Sequence, residues 1–354
     1  MIVIDGSFGE GGGQILRTSV ALSAILGKPV KIVNIRAKRP QPGLKRQHMT
    51  AISAAAALCG AEVEGLKLGS TTVTFKPGAI RSGTFKFDIG TAGSISLVLQ
   101  TLLPIMAYAP GPTEVRITGG TDVPWSPPID YVRSVITYHL ELLGYEVYVE
   151  LIRRGHYPRG GGEVRVRASK PPRALTSLDL VKRGDIEFIK GRSHCVKLPK
   201  HVAERQAKSA KEILSKELAG IPIEIELEWY EQGKDPHLGP GSGIVLWAGA
   251  GKALLGADAL GARGKRAEVV GEEAAKKLLN DLRTGMALDT HMSDNIIPYI
   301  ALAEGTSVIG GARLSMHAYT NIWLIKKILG VDAKLQGSLD EPFTLEVRGA
   351  GVAY

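Results

Sequence analysis

The chain has 354 residues, 44% hydrophobic and 22% charged, an ordinary globular composition large enough for two domains. Its formal net charge of +9 points to polyanionic partners such as nucleic acid or nucleotide. Two cysteines, Cys59 and Cys195, exclude a disulfide framework and suit a reducing cytoplasm; MIVIDGSFGE carries no secretory pattern, and the longest apolar run, broken by Gln100 and Pro104, is too short to span a membrane.

From the N-terminus, IVID reads as a strand ending at Asp5. The glycine-rich turn DGSFGEGGGQILRT follows and opens the helical run QILRTSVALSAILG. The strand KPVKIVNIRA leads through a basic loop into a second helix, GLKRQHMTAISAAAALCGA, expected to begin near Pro42 or Gly43. The same succession recurs twice. FKFD ends at Asp88 and is followed by SISLVLQTLLPIMAYA, TEVRITGG and PIDYVRSVITYHLELLGY. MALD ends at Asp289 and is followed by DNIIPYIALAEG, TSVIGGARL and SMHAYTNIWLIKKILGV. The second helix runs into two strand-like pieces, such as EVYVELIRRG and GEVRVRAS, or AKLQGS and FTLEVRGA.

The expected architecture is therefore α/β, with three β-α-β-α-β-β repeats at about 1–80, 81–170 and 285–354. Roughly a hundred residues, 185–284, precede the third copy as an insertion. Within it DIEFIKG reads as a strand, KHVAERQAKSAKEILSKEL as an amphipathic helix, IPIEIELEWYE as another strand, SGIVLWAGAGKALLGADALG as a hairpin and AEVVGEEAAKKLLNDL as a closing helix. The large domain then comprises 1–184 and 285–354.

Three stretches could carry chemistry. The glycine-rich turn is neither a P-loop nor a dinucleotide fingerprint, since no Gly-Lys pair precedes Ser or Thr and Gln14 replaces the last glycine of G-x-G-x-x-G. Its Glu10 is either a solvated carboxylate near a helix N-terminus or part of a site. Arg36, Lys38, Arg39, Lys45, Arg46, Gln47 and His48 crowd a loop and a helix start, where cations are disfavoured. They form either an anion site or a solvated basic face. In GGARLSMHAYTNIW, Ser315 is the expected N-cap, with His317 in the first turn and Asn321 on the same face. A helix N-terminus keeps imidazole neutral, so His317 is either a nucleophile or a capping histidine. THMSDN stands where the glycine-rich turn stands in the first repeat. Arg159 in HYPRGGGEV marks a hairpin or another phosphate approach. His194, Cys195, His201 and His237 lack tight metal spacing and read as structural or surface residues.

Taken together, GEGGGQILRT, RPQPGLKRQHMTA, DIGTAGSISLVLQTLLP, GGTDVPWSPPIDYV, HYPRGGGEV and SMHAYTNIW resemble the RNA 3'-terminal phosphate cyclase family, from end to end of the repeated domain. The resemblance implies repeats like the C-terminal domain of translation initiation factor 3 and an inserted thioredoxin-like domain. It implies ATP-dependent conversion of an RNA 3'-phosphate to a 2',3'-cyclic phosphate through covalent histidine–AMP, with ATP, magnesium or manganese, and RNA 3' ends as partners. By the same match His317 is the nucleophile and Glu10 the metal carboxylate. Gln100 and the run His291, Met292, Ser293, Asp294 and Asn295 are ATP-binding, and Arg17, Arg39, Gln47 and His48 handle phosphate. One branch of the superfamily, resembling a ribosome-biogenesis protein, lacks the nucleophile; a non-catalytic RNA-binding protein of that kind is the alternative.

Overall fold

The computed structural model describes residues 1–353. The first repeat contains β1 (Ile2–Asp5), α1 (Gly13–Leu26), β2 (Val30–Val33), α2 (Arg46–Cys59), β3 (Glu62–Glu64) and β4 (Val73–Lys76). Its sheet order is β1-β2-β4-β3, with β1 and β2 parallel and the other pairs antiparallel. The second repeat holds β5 (Gly83–Asp88), α3 (Ile95–Met106), β6 (Thr113–Gly119), α4 (Ile129–Tyr131), a π-turn over Val132–Ile136, α5 (Thr137–Leu142), β7 (Tyr148–Arg153) and β8 (Gly162–Ala168). Its order, β5-β6-β8-β7, repeats the first.

The chain next forms β9 (Asp179–Leu180) and enters the insertion: β10 (Phe188–Val196), α6 (His201–Glu217), β11 (Ile223–Glu228), β12 (Gly241–Ala250), β13 (Ala253–Leu260) and α7 (Ala267–Arg283). The inserted sheet runs β11-β10-β12-β13, with β10 parallel to β11 and antiparallel to β12, as in a thioredoxin-like fold. The third repeat continues with α8 (Thr290–Asn295), α9 (Ile297–Leu302), β14 (Thr306–Gly311), α10 (Met316–Leu329), β15 (Ala333–Gln336) and β16 (Phe343–Arg348).

Two expectations are corrected. The third sheet is ordered β9-β14-β16-β15, so its first strand position is filled initially by β9, ahead of the insertion. MALD completes that position from the far side, with Leu288 bridging Gly311 in parallel. The insertion thus interrupts a strand, and two-residue β9 is too short to leave a periodic signal. The second difference is the start of α2, which begins at Arg46 with Lys45 as N-cap. Leu44 is instead tied to the β3–β4 loop through hydrogen bonds with Ser70 and Gly69.

The sheet of the second repeat buries one face, as the strict alternation along β6 shows, whereas β12 and β13 of the inserted sheet are buried at nearly every position. Helix α1 lies centrally and packs against α2, α3 and α10. Its buried Ser19 and Ser23 are small enough to permit close helix approach. The starts of α1, α2, α8 and α10 open onto one cleft.

Candidate active site

The cleft has a volume of about 910 Å³. Arg17, Arg36, Arg39, Lys45, Arg46 and Lys277 give it positive charge, opposed by Glu10, Asp258 and Asp294. Among the described residues, only Arg39 of these six cations has a carboxylate within 4 Å, its partner being Glu10 at 3.2 Å. Helix N-termini add partial positive charge, so the cleft is preorganised for an anion. The turn before α1 supplies the close fit: a Cβ on Gly13 would lie 2.3 Å from His48 Nε2, so only glycine lets α1 begin against that ring.

His317 enters from α10, whose first turn is capped as the sequence predicts. Ser315 Oγ accepts from the Ala318 amide at 3.0 Å. The His317 ring is half-buried, with Nδ1 3.8 Å from Glu10 Oε2, an electrostatic contact too long for a hydrogen bond. Burial lowers its pKa; Arg17, His291 and Arg39 act in the same direction, while Glu10 opposes them. The imidazole is consequently neutral near pH 7, with a lone pair to offer. Gln14 Nε2 donates to the His317 carbonyl at 3.0 Å, and its buried Oε1 has no partner.

A polar chain joins the repeats beneath the cleft. Arg17 Nε donates to Gln100 Oε1 at 3.0 Å, Gln100 Nε2 to Asn295 Oδ1 at 2.8 Å, and Asn295 Nδ2 to the His291 carbonyl at 2.7 Å. Asn321 accepts from Thr18 and donates to the Asp294 carbonyl, locking α10 to α1 and α8. Burial pushes Asp294 up to about 7 and draws Arg17 down to about 10. His48 is nearly sealed, and burial among Arg17, Arg36 and Lys45 lowers it to about 3. It is therefore a neutral ring whose Nδ1 accepts from the Lys45 amide. Gln47 Oε1 accepts from the Ser94 amide at the cap of α3.

The structure thus brings Glu10, Arg17, Arg39, Gln47, His48, Gln100, His291, Asp294, Asn295 and His317 to one cleft. It does not bring the side chains of Met292 and Ser293 there: Met292 is in the core, and Ser293 donates to the Thr290 carbonyl. Arg159 also lies away, against Gly239 of the insertion.

Residues 8–335 match the family described as RTC: RNA 3'-terminal phosphate cyclase. The chain belongs to this family. A protein named RNA 3'-terminal phosphate cyclase from Hyperthermus butylicus is 61% identical over 99% of this chain and 98% of its own length. One of the same name from Ignicoccus hospitalis is 60% identical over 99% of both chains, and one from Methanopyrus kandleri is 55% identical over 99% of both. Among solved structures, an enolpyruvyl transferase from Streptomyces tendae aligns at a TM-score of 0.39 and 11% identity, with 99% of this chain and 49% of that one.

Several residues in or behind the cleft carry no clear signal in the sequence. Asp289, fully buried, caps α8 and accepts from the Tyr131 hydroxyl at 2.7 Å and the Gly256 amide at 2.8 Å, joining three segments. Asp258 and Lys277 reach the cleft from the insertion, and Trp125 stands at its mouth, 98% exposed. Only Trp125, an aromatic between prolines in VPWSPP, left a usable trace in the sequence.

Proposed function

We propose that the protein converts an RNA 3'-terminal phosphate into a 2',3'-cyclic phosphodiester at the expense of ATP, with His317 as nucleophile. The observation that carries this reading is the half-buried, neutral His317 at a helix N-terminus, facing a carboxylate and bordered by arginines that have few acidic partners. In this reading residues 1–184 and 285–354 form the catalytic domain, and 185–284 an insert that lends Asp258 and Lys277 to the cleft.

In the first step, the lone pair of His317 attacks the α-phosphorus of ATP while the P–O bond to the β-phosphate breaks and pyrophosphate leaves. Arg17 and Arg39 offset the developing negative charge, and Glu10 faces the positive ring. An oxygen of the RNA 3'-phosphate then attacks the same phosphorus, the P–N bond breaks and His317 is regenerated. Finally the 2'-hydroxyl attacks the 3'-phosphorus, gives up its proton and expels AMP.

The donor set fits a divalent cation: Glu10 is an exposed carboxylate at the cleft, and the unpartnered Gln14 Oε1 is a further oxygen. Glu10 would hold such an ion, which would supply charge neutralisation. Gln100, His291, Asp294 and Asn295 form the nucleotide wall, and Gln47 and His48 back the phosphate loop.

The test is incubation with magnesium and ATP labelled at the α-phosphate, followed by detection of acid-labile label on the protein. The expected result is a labelled wild type and an unlabelled His317→Ala variant. No label on wild type, with RNA still bound, would instead favour the non-catalytic RNA-binding reading.

A further inference from the structure

A second polar cluster lies outside the cleft, where the insertion meets the second repeat. Asp122 follows β6, His156 follows β7 and His194 projects from β10, and the three are 1%, 7% and 0% exposed. One ligand atom from each lies within 4.8 Å of the others. We propose that Asp122, His156 and His194 bind a divalent metal ion of the zinc class, which staples the inserted domain to the second repeat.

The geometry supports this assignment. His156 Nε2 and His194 Nε2 face each other at 3.3 Å. Two imidazole nitrogens bound to one tetrahedral zinc at about 2.05 Å would be separated by roughly 3.3 Å, the edge of the coordination tetrahedron. Without an ion, one ring must donate to the other across this edge, and the sealed His194 Nδ1 has no partner. The site is closed from the insertion side, where a Cβ on Gly241 would lie 2.0 Å from the His156 ring.

A third imidazole adjoins the cluster and acts electrostatically on His156. This is His237, 3% exposed, whose Nδ1 lies 2.7 Å from Asp235 Oδ1 and whose buried Nε2 is unpartnered. With the ring neutral and one N–H held by the carboxylate, the other nitrogen presents its lone pair, the arrangement common behind metal-bound histidines.

The surrounding charge accommodates a cation. Asp122, Asp130, Glu226, Glu228 and Asp235 stand against Arg133, Arg154 and Arg192, five carboxylates against three guanidiniums. Asp122 accepts from Thr121 Oγ1 on Oδ2 and from Arg154 Nη1 on both oxygens. A carboxylate has about four acceptor positions, so one remains. Two imidazoles and one carboxylate oxygen suit zinc and exclude a magnesium-type all-oxygen cage.

The experiment uses the full chain, stripped with chelator and free of ATP, then exposed to zinc chloride alone and desalted. Expected results are about one zinc retained per chain, a zinc-dependent rise in melting temperature and a tetrahedral visible spectrum with cobalt(II) in place of zinc. His156→Gln and His194→Gln should lose all three, while His317→Ala, altered only in the cleft, should keep them. Zinc absent from the desalted wild type, or an octahedral cobalt spectrum, would overturn the proposal even if both glutamine variants failed to fold. So would glutamine variants that retain zinc as wild type does, or loss of the zinc in His317→Ala.

Discussion

The cleft and the domain junction both gather arginines and carboxylates, yet they treat charge in opposite ways. In the cleft, five of six cations have no carboxylate within 4 Å among the described residues, and Glu10 and Arg39 are each about 42% exposed. At the junction Arg154 is 0% exposed and is shared among Asp122, Asp130 and Glu228. Open, uncompensated charge is an invitation to a ligand, whereas sealed charge must be paired or the fold does not form. Position relative to solvent, more than residue type, separates a binding surface from a structural network.

The largest expected effect is at the junction. Arg154→Ala leaves three carboxylates facing one another without their guanidinium, and should cost about 3–5 kcal/mol in urea-induced unfolding. A loss below about 1 kcal/mol would erase the contrast drawn between the two regions. Glu10→Ala, in the cleft, should leave unfolding nearly unchanged but lower histidine adenylylation roughly tenfold to a hundredfold at low magnesium. Activity unchanged across a magnesium titration would return Glu10 to the role of a solvated turn residue.

A subtler difference is tied to pH. Asp294 is raised to about 7 by burial and by Asp289 and Glu10, with His291 and Arg17 opposing. Its folded value exceeds its unfolded one near 3.8, so the folded state binds the extra proton. This contribution to stability therefore grows as pH falls from about 7 towards 4 and is lost as pH rises through 7. Asp294→Asn should flatten that part of the melting-temperature profile between pH 5 and 8, and an unchanged slope would sink the assignment. The smallest effect concerns Trp125, held at φ +68° on the lip of the cleft. If it stacks on a base, Trp125→Ala should weaken RNA binding by about 1 kcal/mol, and Trp125→Phe should largely restore it.

Much of the cleft was legible because its residues lie in short local motifs at helix starts. Ser315 capping α10, with His317 in the first turn, is a purely local pattern. Glycine before α1 is likewise local, although the reason for it, the His48 ring from α2, is not. The start of α2 was misplaced because Leu44 is claimed by a loop some 25 residues away. The split strand of the third repeat escaped because its halves are separated by the whole insertion. His194 and His237 read as structural because no metal spacing exists along the chain, while Asp122, His156 and His194 converge from three segments.

The sequence by itself determined the repeated β-α-β-α-β-β plan, the strands, hairpin and two helices of the insertion and the helix starts that carry Glu10, Arg17, His48 and His317. All of these rest on periodicity and capping within a few residues. Only the tertiary structure decided that those starts share one cleft, that Asp258 and Lys277 join them from the insertion, and that Asp122, His156 and His194 meet in a sealed junction. The physical reason is that burial and electrostatic environment depend on distances in space, which long-range packing sets and no local pattern records.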